Sequence, residues 1–399
     1  MGMLAFFPWL RRDEPIRLGS FHLFLYAPGQ PLPEGVESLV SPNDLRRLLS
    51  PYRVHVQNRL GLVCLLQYGG KPIGTPLQDE ERAEIFAVAR HLAVVGLATR
   101  RFDGSPLGSY SASGHYQVII QAFPEPFSGS ATVTHRRKDG TTRLLISANA
   151  HVFNIPEHLI HKARPELDMR LLGALARLRV EVGDELRAHY DASITQFLMA
   201  NSDSPDVPLD AESISTYAAI ERVVNAEQSL KSFRAKVRQA LGVVDDVPVS
   251  SRFRDELGGK AQNVEGPVLR EWLRHLYMLR GNAGHGHSVE KVSSSWSQQD
   301  HLMAGAFVYP LALKCCLHRQ GLYALSGQDC ADIVGLEQLL DDRPFFAARG
   351  DPDESELDVR ARCGWLRQMQ AIGAGLASIE LSRTIEAAVR PHMLDDEPG

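Results

Sequence analysis

The spacing of hydrophobic and polar positions changes after about 150 residues of the chain. Before this point three segments alternate apolar and polar residues or contain short apolar runs, which is typical of β-strands. They are FHLFLYA (21–27), VHVQNRLGLVCLLQY (54–68) and HYQVIIQAF (115–123). By contrast, DEERAEIFAVARHLAVVGLATRRF (79–102) has apolar residues at helical spacing after an acidic first turn.

A β-hairpin is the clearest local prediction in this region. Two alternating segments of ATVTHRRKDGTTRLLISA (131–148) flank Lys138-Asp139-Gly140. Because Asp-Gly supplies the positive φ of a tight turn, the two segments are expected to pair. Together these patterns predict an α+β domain over residues 1–155, to which we assign a sensing or regulatory role.

From residue 156 to 399 the spacing becomes helical. The helical segments are 165–180, 185–201, 211–242, 268–280, 300–323 and 355–389, and the polar stretches 201–210 and 243–266 between them predict loops. Residues 211–242 form one continuous amphipathic pattern that ends at Gly242, with an apolar stripe through Ile214, Ala218, Val224 and Leu230. The sequence therefore predicts a helical region after the α+β domain.

Composition and charge exclude several classes of protein. The chain is 44% apolar and 23% charged, an ordinary globular mixture, and its length of 399 residues predicts two or three domains. The net charge of -5 disfavours a protein that coats duplex DNA, but it permits a small phosphate site. Five cysteines without a CxxC pair predict neither a disulfide framework nor a cysteine zinc site.

We expect a soluble cytoplasmic protein. In residues 1–12 an apolar run precedes two arginines, the reverse order of a secretory signal. The most apolar segment, His301 to Leu317, is interrupted by Pro310 and Lys314, so no membrane span is predicted.

One segment, Tyr277 to Ser288, has a composition that a helix does not explain. Three glycines lie within six positions, and each costs a helix about 1 kcal/mol relative to alanine, so the backbone is expected to leave the helix here. On a continuous helix Arg280 and His285 would lie about 140° apart. Glycine dihedrals would instead fold His285 back toward the guanidinium. His287 would share a face with Arg280 even on an unbroken helix, so His285 is the first candidate and His287 the second.

An arginine with histidines close to it suits phosphodiester cleavage in RNA. The guanidinium presents a planar set of donors that matches phosphate oxygens. Imidazole titrates near pH 6.5 and can take or give a proton at neutral pH. The 2′-hydroxyl of RNA is a nucleophile already present beside the scissile phosphate, so this chemistry requires no metal.

Three segments resemble the HEPN superfamily, and within it the Apea-like HEPN domains of bacteria. They are ITQFLMANSDSPDVPLDAESISTYAAIERVV (194–224), WLRHLYMLRGNAGHGHS (272–288) and the helical DHLMAGAFVYPLALKCCL (300–317). The second is similar to the family's signature, in which four residues separate an arginine from a His-Gly pair. The resemblance covers about residues 185–390, and we place the core of the HEPN domain at 190–390.

The resemblance implies an all-α bundle that dimerises so that two signature segments line one cleft. Active members are metal-independent endoribonucleases that leave a 2′,3′-cyclic phosphate, often as toxins or effectors of antiphage defence. Arg280 would bind the phosphate, and His285 would act as general acid and base. Glu221 would orient the arginine.

Further site residues and partners follow from the same resemblance. Asn282 and His287 complete the candidate catalytic set, while Tyr277 and Arg274 are the expected RNA contacts. The expected partners are RNA, a second copy of the chain and an unidentified activator or antitoxin, with no cofactor, metal or membrane. The chain departs from the family's pattern at Gly281, where a polar residue is common.

Two alternatives stay open. The first is a non-catalytic HEPN module that dimerises and binds a nucleotide or a partner protein. The second is a target of nucleotidyl transfer by a partner antitoxin.

Overall fold

The computed structural model describes residues 1–10, 14–55, 58–100, 111–137, 140–147, 151–156, 159, 166–242, 268–287 and 296–326, with short pieces between 328 and 340. Contacts within the chain divide it into two compact units. The first contains Met1–Gly183 and Asn201–Val207, and the second contains Asp184–Ala200 and Pro208–Gly399. The hairpin turn residues 138–139, the predicted loop 243–266 and the predicted helical region 355–389 lie outside the described residues.

The first unit is built on a seven-stranded antiparallel sheet. Its strands are β1 (Gly2–Phe7), β2 (Ile16–Leu18), β3 (Phe21–Tyr26), β6 (Val63–Tyr68), β7 (Ile119–Phe123), β8 (Ser130–Arg137) and β9 (Gly140–Ser147). They lie in the order β2-β3-β6-β1-β7-β8-β9. A smaller sheet has the order β10-β4-β5, formed by β4 (Tyr52–His55), β5 (Asn58–Arg59) and β10 (Phe153–Asn154).

Two features of this sheet can be compared directly with the sequence patterns. The predicted hairpin is confirmed, because β8 and β9 pair continuously from Ser130↔Ser147 to Arg137↔Gly140. The first strand was not predicted from the sequence. It lies in the middle of the sheet between β6 and β7 and is buried along almost its whole length, so it lacks the apolar and polar alternation of a half-exposed strand.

Two helices of the first unit begin with side-chain caps. In α1 (Pro42–Leu49) the Ser41 hydroxyl accepts a hydrogen bond from the Asp44 amide at 3.1 Å. This helix buries Leu45, Leu48 and Leu49 in a core cluster that includes strand residues such as Phe6 and Phe24. In α2 (Asp79–Ala98) the Glu81 carboxylate accepts from the Gln78 amide at 2.9 Å. Such caps satisfy amide groups that have no partner within the helix.

A third helix, α3 (Met169–Glu181), also belongs to the first unit. The Asp168 carboxylate caps it by accepting from the Leu171 amide at 2.9 Å, and the Asp168 amide donates to the Val95 carbonyl of α2 at 3.3 Å. Because α3 packs on α2, the first unit continues to Gly183, whereas the sequence placed the domain boundary after residue 155.

The described part of the second unit consists of helices packed around a central one. The described helices are α4 (Asp184–Met199), α5 (Leu209–Val223), α6 (Leu230–Leu241), α7 (Val268–His285) and α8 (Gln298–Arg319). Helix α5 packs against the other four. It approaches α8 so closely that a Cβ on Gly305 would overlap the Thr216 side chain. Helix α4 also contacts α8, since the rings of Phe197 in α4 and Tyr309 in α8 stack with centroids 4.2 Å apart. The chain therefore has an antiparallel sheet in its N-terminal region and a helical second part, as predicted.

The prediction of one helix over residues 211–242 is wrong. The chain forms two helices, α5 and α6, and leaves the helical conformation between Val223 and Leu230. Asn225 adopts a positive φ of 51°, which an asparagine tolerates better than most residues. The Ser229 hydroxyl then starts α6 by accepting from the Ser232 amide at 3.1 Å.

A membrane span was not expected from the sequence. In the part of the chain that the structure describes, no helix is both long enough and apolar enough to cross a membrane.

Candidate phosphate site on α5 and α7

Helix α7 runs without interruption through the glycine-rich segment. It includes Arg280, Gly281 and Gly284 and ends at His285. Gly286 follows with a φ of +68°, while its amide donates to the Ala283 carbonyl at 3.4 Å and the His287 amide donates to the Asn282 carbonyl at 2.9 Å. These two bonds and the left-handed residue form a Schellman motif.

The backbone was expected to leave the helix within this segment, and it does so only at the last of the three glycines, Gly286. The helix propensity of glycine is a weak preference, and packing of the apolar face of α7 overrides it. Trp272, Leu273, Leu276 and Leu279 are all buried on that face. Only the last glycine, at 286, takes a conformation that disfavours other residues.

Continuity of α7 determines how Arg280 and His285 are arranged. Five residues on a regular helix turn the side chain by about 140° and advance it by about 7.5 Å. Within one chain these two side chains consequently point to different sides of the helix. The expected folding back of His285 toward the guanidinium does not occur.

Arg280 lies against a buried tyrosine of α5. Its guanidinium carbon is 5.1 Å from the centroid of the Tyr217 ring, within the range of a cation–π interaction. The Tyr217 side chain is only 1% exposed, whereas Arg280 is half-buried. Among the described residues Arg280 has no ion-pair partner and no hydrogen-bond partner, so its N–H donors are available to an anion.

Glu221 reaches this cluster through the same tyrosine. The Tyr217 hydroxyl donates to Glu221 Oε1 at 2.7 Å, four residues along α5. Burial, this hydrogen bond and the nearby carboxylate raise the pKa of Tyr217 well above its ordinary value, while Arg280 lowers it. Tyr217 therefore stays a neutral phenol near pH 7. Glu221 and Arg280 both contact Tyr217, and the described contacts include no direct one between the two charged groups.

Tyr277 belongs to the same aromatic cluster. Its ring meets that of Tyr217 edge to face, with centroids 5.7 Å apart, and Phe233 of α6 lies on Tyr217 at 4.7 Å. These contacts fix the tyrosine on which Arg280 rests. Tyr277 itself is partly exposed.

The two histidines lie at the exposed end of α7. The rings of His285 and His287 are 6.2 Å apart, and both residues are exposed. No contact among the described side chains joins either imidazole to Arg280. Asn282, one turn earlier, accepts the capping hydrogen bond of His287 with its backbone carbonyl. The structure thus brings Arg280, Tyr217, Glu221 and Tyr277 together and places the histidines apart from them.

Arg274, an expected RNA contact, is engaged elsewhere. Its Nε donates to Glu271 Oε2 at 2.7 Å, and a second guanidinium nitrogen lies 2.9 Å from His275 Nε2. Arg234 of α6 approaches the other Glu271 oxygen at 3.6 Å. An RNA contact by Arg274 would have to compete with this ion pair.

The sequence did not single out Tyr217, although it is the centre of the cluster. Its spacing of four residues from Glu221 was visible, but an apolar helix face contains many such tyrosines. The decisive contact is with Arg280, 63 positions later in the chain. In the described part of the chain there is also no group of three or more His, Cys, Asp or Glu side chains that could hold a metal ion.

Comparisons of this chain with protein-family models, with curated proteins and with solved structures found no match.

Proposed function

We propose that the second unit is a metal-independent endoribonuclease of the HEPN type, with Arg280 as its phosphate ligand. The observation that carries the proposal is the half-buried Arg280 guanidinium, which rests on Tyr217 and has no anionic partner among the described residues. A positioned arginine without a carboxylate partner favours an anionic ligand, since its donors are otherwise satisfied only by water.

The proposed reaction is an internal transfer at phosphorus. An imidazole nitrogen removes the proton of the 2′-hydroxyl, whose oxygen attacks the adjacent phosphorus. The bond from phosphorus to the 5′-oxygen breaks, and that oxygen receives the proton from the imidazolium formed in the first step. The products are a 2′,3′-cyclic phosphate and a 5′-hydroxyl. Arg280 neutralises charge on the phosphate oxygens as the pentacoordinate transition state forms.

A site shared between two chains fits the geometry of α7. Arg280 and His285 of one chain point to different sides of the helix, but the arginine of one copy and the histidine of a second copy can face the same phosphate across a twofold axis. The exposed His285 and His287 are available to such a partner. We therefore propose a homodimer through the helical unit, with the first unit as its sensing or regulatory part.

Purified protein incubated with total RNA in the presence of EDTA tests this function. The proposal expects cleavage that survives the chelator and yields ends with a cyclic phosphate. Cleavage that EDTA abolishes would contradict the metal-independent mechanism. Cleavage that persists unchanged in an Arg280→Ala variant would contradict the assigned phosphate ligand.

A non-catalytic module is the second candidate, and one observation favours it. Because α7 is a continuous helix, no single chain presents Arg280 and His285 to one ligand. In that case Arg280 would bind the phosphate of a nucleotide or of a partner without cleaving it. Binding of RNA by the wild type, but not by Arg280→Ala, without any cleavage would favour this candidate.

A further inference from the structure

A second concave site lies in the helical unit, at the C-terminal end of α5, beyond Glu221. It is a cavity of about 210 Å³ between α4, the end of α5, α6 and the end of α8. Its lining residues are Leu186, His189, Tyr190, Val223, Val224, Asn225, Lys236, Gln239, Ala240, Cys316, Arg319 and Gln320. Neither Arg280 nor the histidines of α7 belong to it.

The polar part of this cavity is positively charged. Lys236 of α6 and Arg319 of α8 line it from two helices, and both are exposed enough to reach a ligand from solvent. His189 of α4 lies beside them, with its ring oriented by a hydrogen bond between Nε2 and the Arg222 carbonyl. Among the described lining residues there is no aspartate or glutamate. In a chain with a net charge of -5, a cavity lined by two cationic side chains, with no acidic one among its described lining residues, favours anions.

The remaining lining residues give the cavity an apolar floor with neutral donors at its edge. Val223, Val224 and Ala240 are buried, and Asn225 and Gln239 contribute amide groups at the rim. Binding sites for small molecules commonly combine an apolar wall with a few polar groups that fix the orientation of the ligand.

Two titratable groups in the floor do not add negative charge. Burial raises the pKa of the Cys316 thiol to about 11, with Arg319 acting in the opposite direction. Burial likewise raises the pKa of Tyr190 well above its ordinary value. Both groups stay neutral near pH 7, so the charges of Lys236 and Arg319 are not cancelled from within.

We propose that this cavity binds a small organic anion, with a phosphate or carboxylate head between Lys236 and Arg319 and an apolar body on Val223, Val224 and Ala240. The site is separate from the proposed ribonuclease site, and it stands whether or not the protein cleaves RNA.

Five simple compounds test the proposal by ligand-observed NMR on the full chain. Phenyl phosphate and benzoate carry the two anionic heads on the same ring. Benzyl alcohol and benzylamine replace the head by a neutral or a cationic group, and inorganic phosphate lacks the apolar body. We expect saturable binding of at least one of the two aromatic anions in the millimolar range or tighter, and at least about tenfold weaker binding of the other three.

Charge variants locate the binding. Lys236→Glu and Arg319→Glu are each expected to weaken binding of the aromatic anion by about tenfold, because an attraction becomes a repulsion. Lys236→Gln should have a smaller effect than Lys236→Glu, an order that a general folding defect would not produce. Lys231→Glu is the matched control, since this exposed lysine of α6 does not line the cavity, and it should bind like the wild type.

Three results would overturn the proposal. They are the absence of saturable binding by both aromatic anions, equally tight binding of benzylamine or of inorganic phosphate, and binding that the charge reversals at Lys236 and Arg319 leave unchanged.

Discussion

Replacing Gly281 and Gly284 by alanine is expected to stabilise the helical unit. Both residues lie within α7, and a Cβ added at either position would meet nothing within 4 Å. Alanine is favoured over glycine by about 1 kcal/mol inside a helix, with a smaller gain in the last turn, where Gly284 lies. The double variant should therefore gain roughly 1–2 kcal/mol.

Scanning calorimetry of the full chain measures this gain. For a unit of this size about 1 kcal/mol raises Tm by about 2–4 °C, so the transition of the helical unit should move up by roughly 2–8 °C. Gly286→Ala is the matched control from the same segment. Its φ of +68° is costly for alanine, so this variant should lose about 1 kcal/mol. A double variant that is no more stable than the wild type would show that α7 is interrupted at its glycines, and would refute the continuous helix.

Three other predictions concern the candidate ribonuclease site and the buried His301. Arg280→Lys should lower the rate of RNA cleavage by about 10²-fold or more, because an ammonium cannot make the two-pronged phosphate contact; turnover at the wild-type rate would show that Arg280 supplies no such contact. His285→Ala should cost about 10²–10⁴ in rate and His287→Ala less, and the reverse order in the same assay would assign the catalytic role to His287. Burial lowers the pKa of His301 to about 3, so the unfolded chain binds a proton that the folded chain does not. His301 alone should therefore lower the stability by about 1.4 kcal/mol per pH unit below about pH 6. Urea unfolding between pH 7 and about pH 4.5 should show a shallower loss for His301→Phe, and equal slopes would contradict this origin.

The sequence predicted elements whose signals are local. The Asp-Gly pair at 139–140 and the helical spacing after Asp79 are both patterns within a short stretch of the sequence. The first predicted the pairing of β8 with β9, and the second predicted helix α2. Strand β1 was missed, because a strand buried on both faces has no alternation and its short apolar run was compared only with a secretory signal. The end of α5 was also missed, since the apolar stripe continues through Val224 while the backbone turns at Asn225.

The candidate site was predicted only in part, for a different physical reason. Arg280 and Glu221 were selected by residue type and resemblance, and both lie in one cluster. Tyr217, which connects them, becomes visible only when α5 and α7 pack together. The helix was not expected to continue past Gly281 and Gly284, because helix propensity alone does not include the burial of Leu276 and Leu279 on the apolar face of α7.

Mixing two inactive variants tests the central claim most directly. If each site combines Arg280 of one subunit with His285 of the other, a heterodimer of Arg280→Ala and His285→Ala chains contains one fully intact site. Each variant alone should be inactive in EDTA, and the mixture, after subunit exchange, should recover a substantial fraction of the wild-type rate of RNA cleavage. A mixture that stays as inactive as its components, with heterodimers demonstrated by mass spectrometry, would contradict a site shared between two chains.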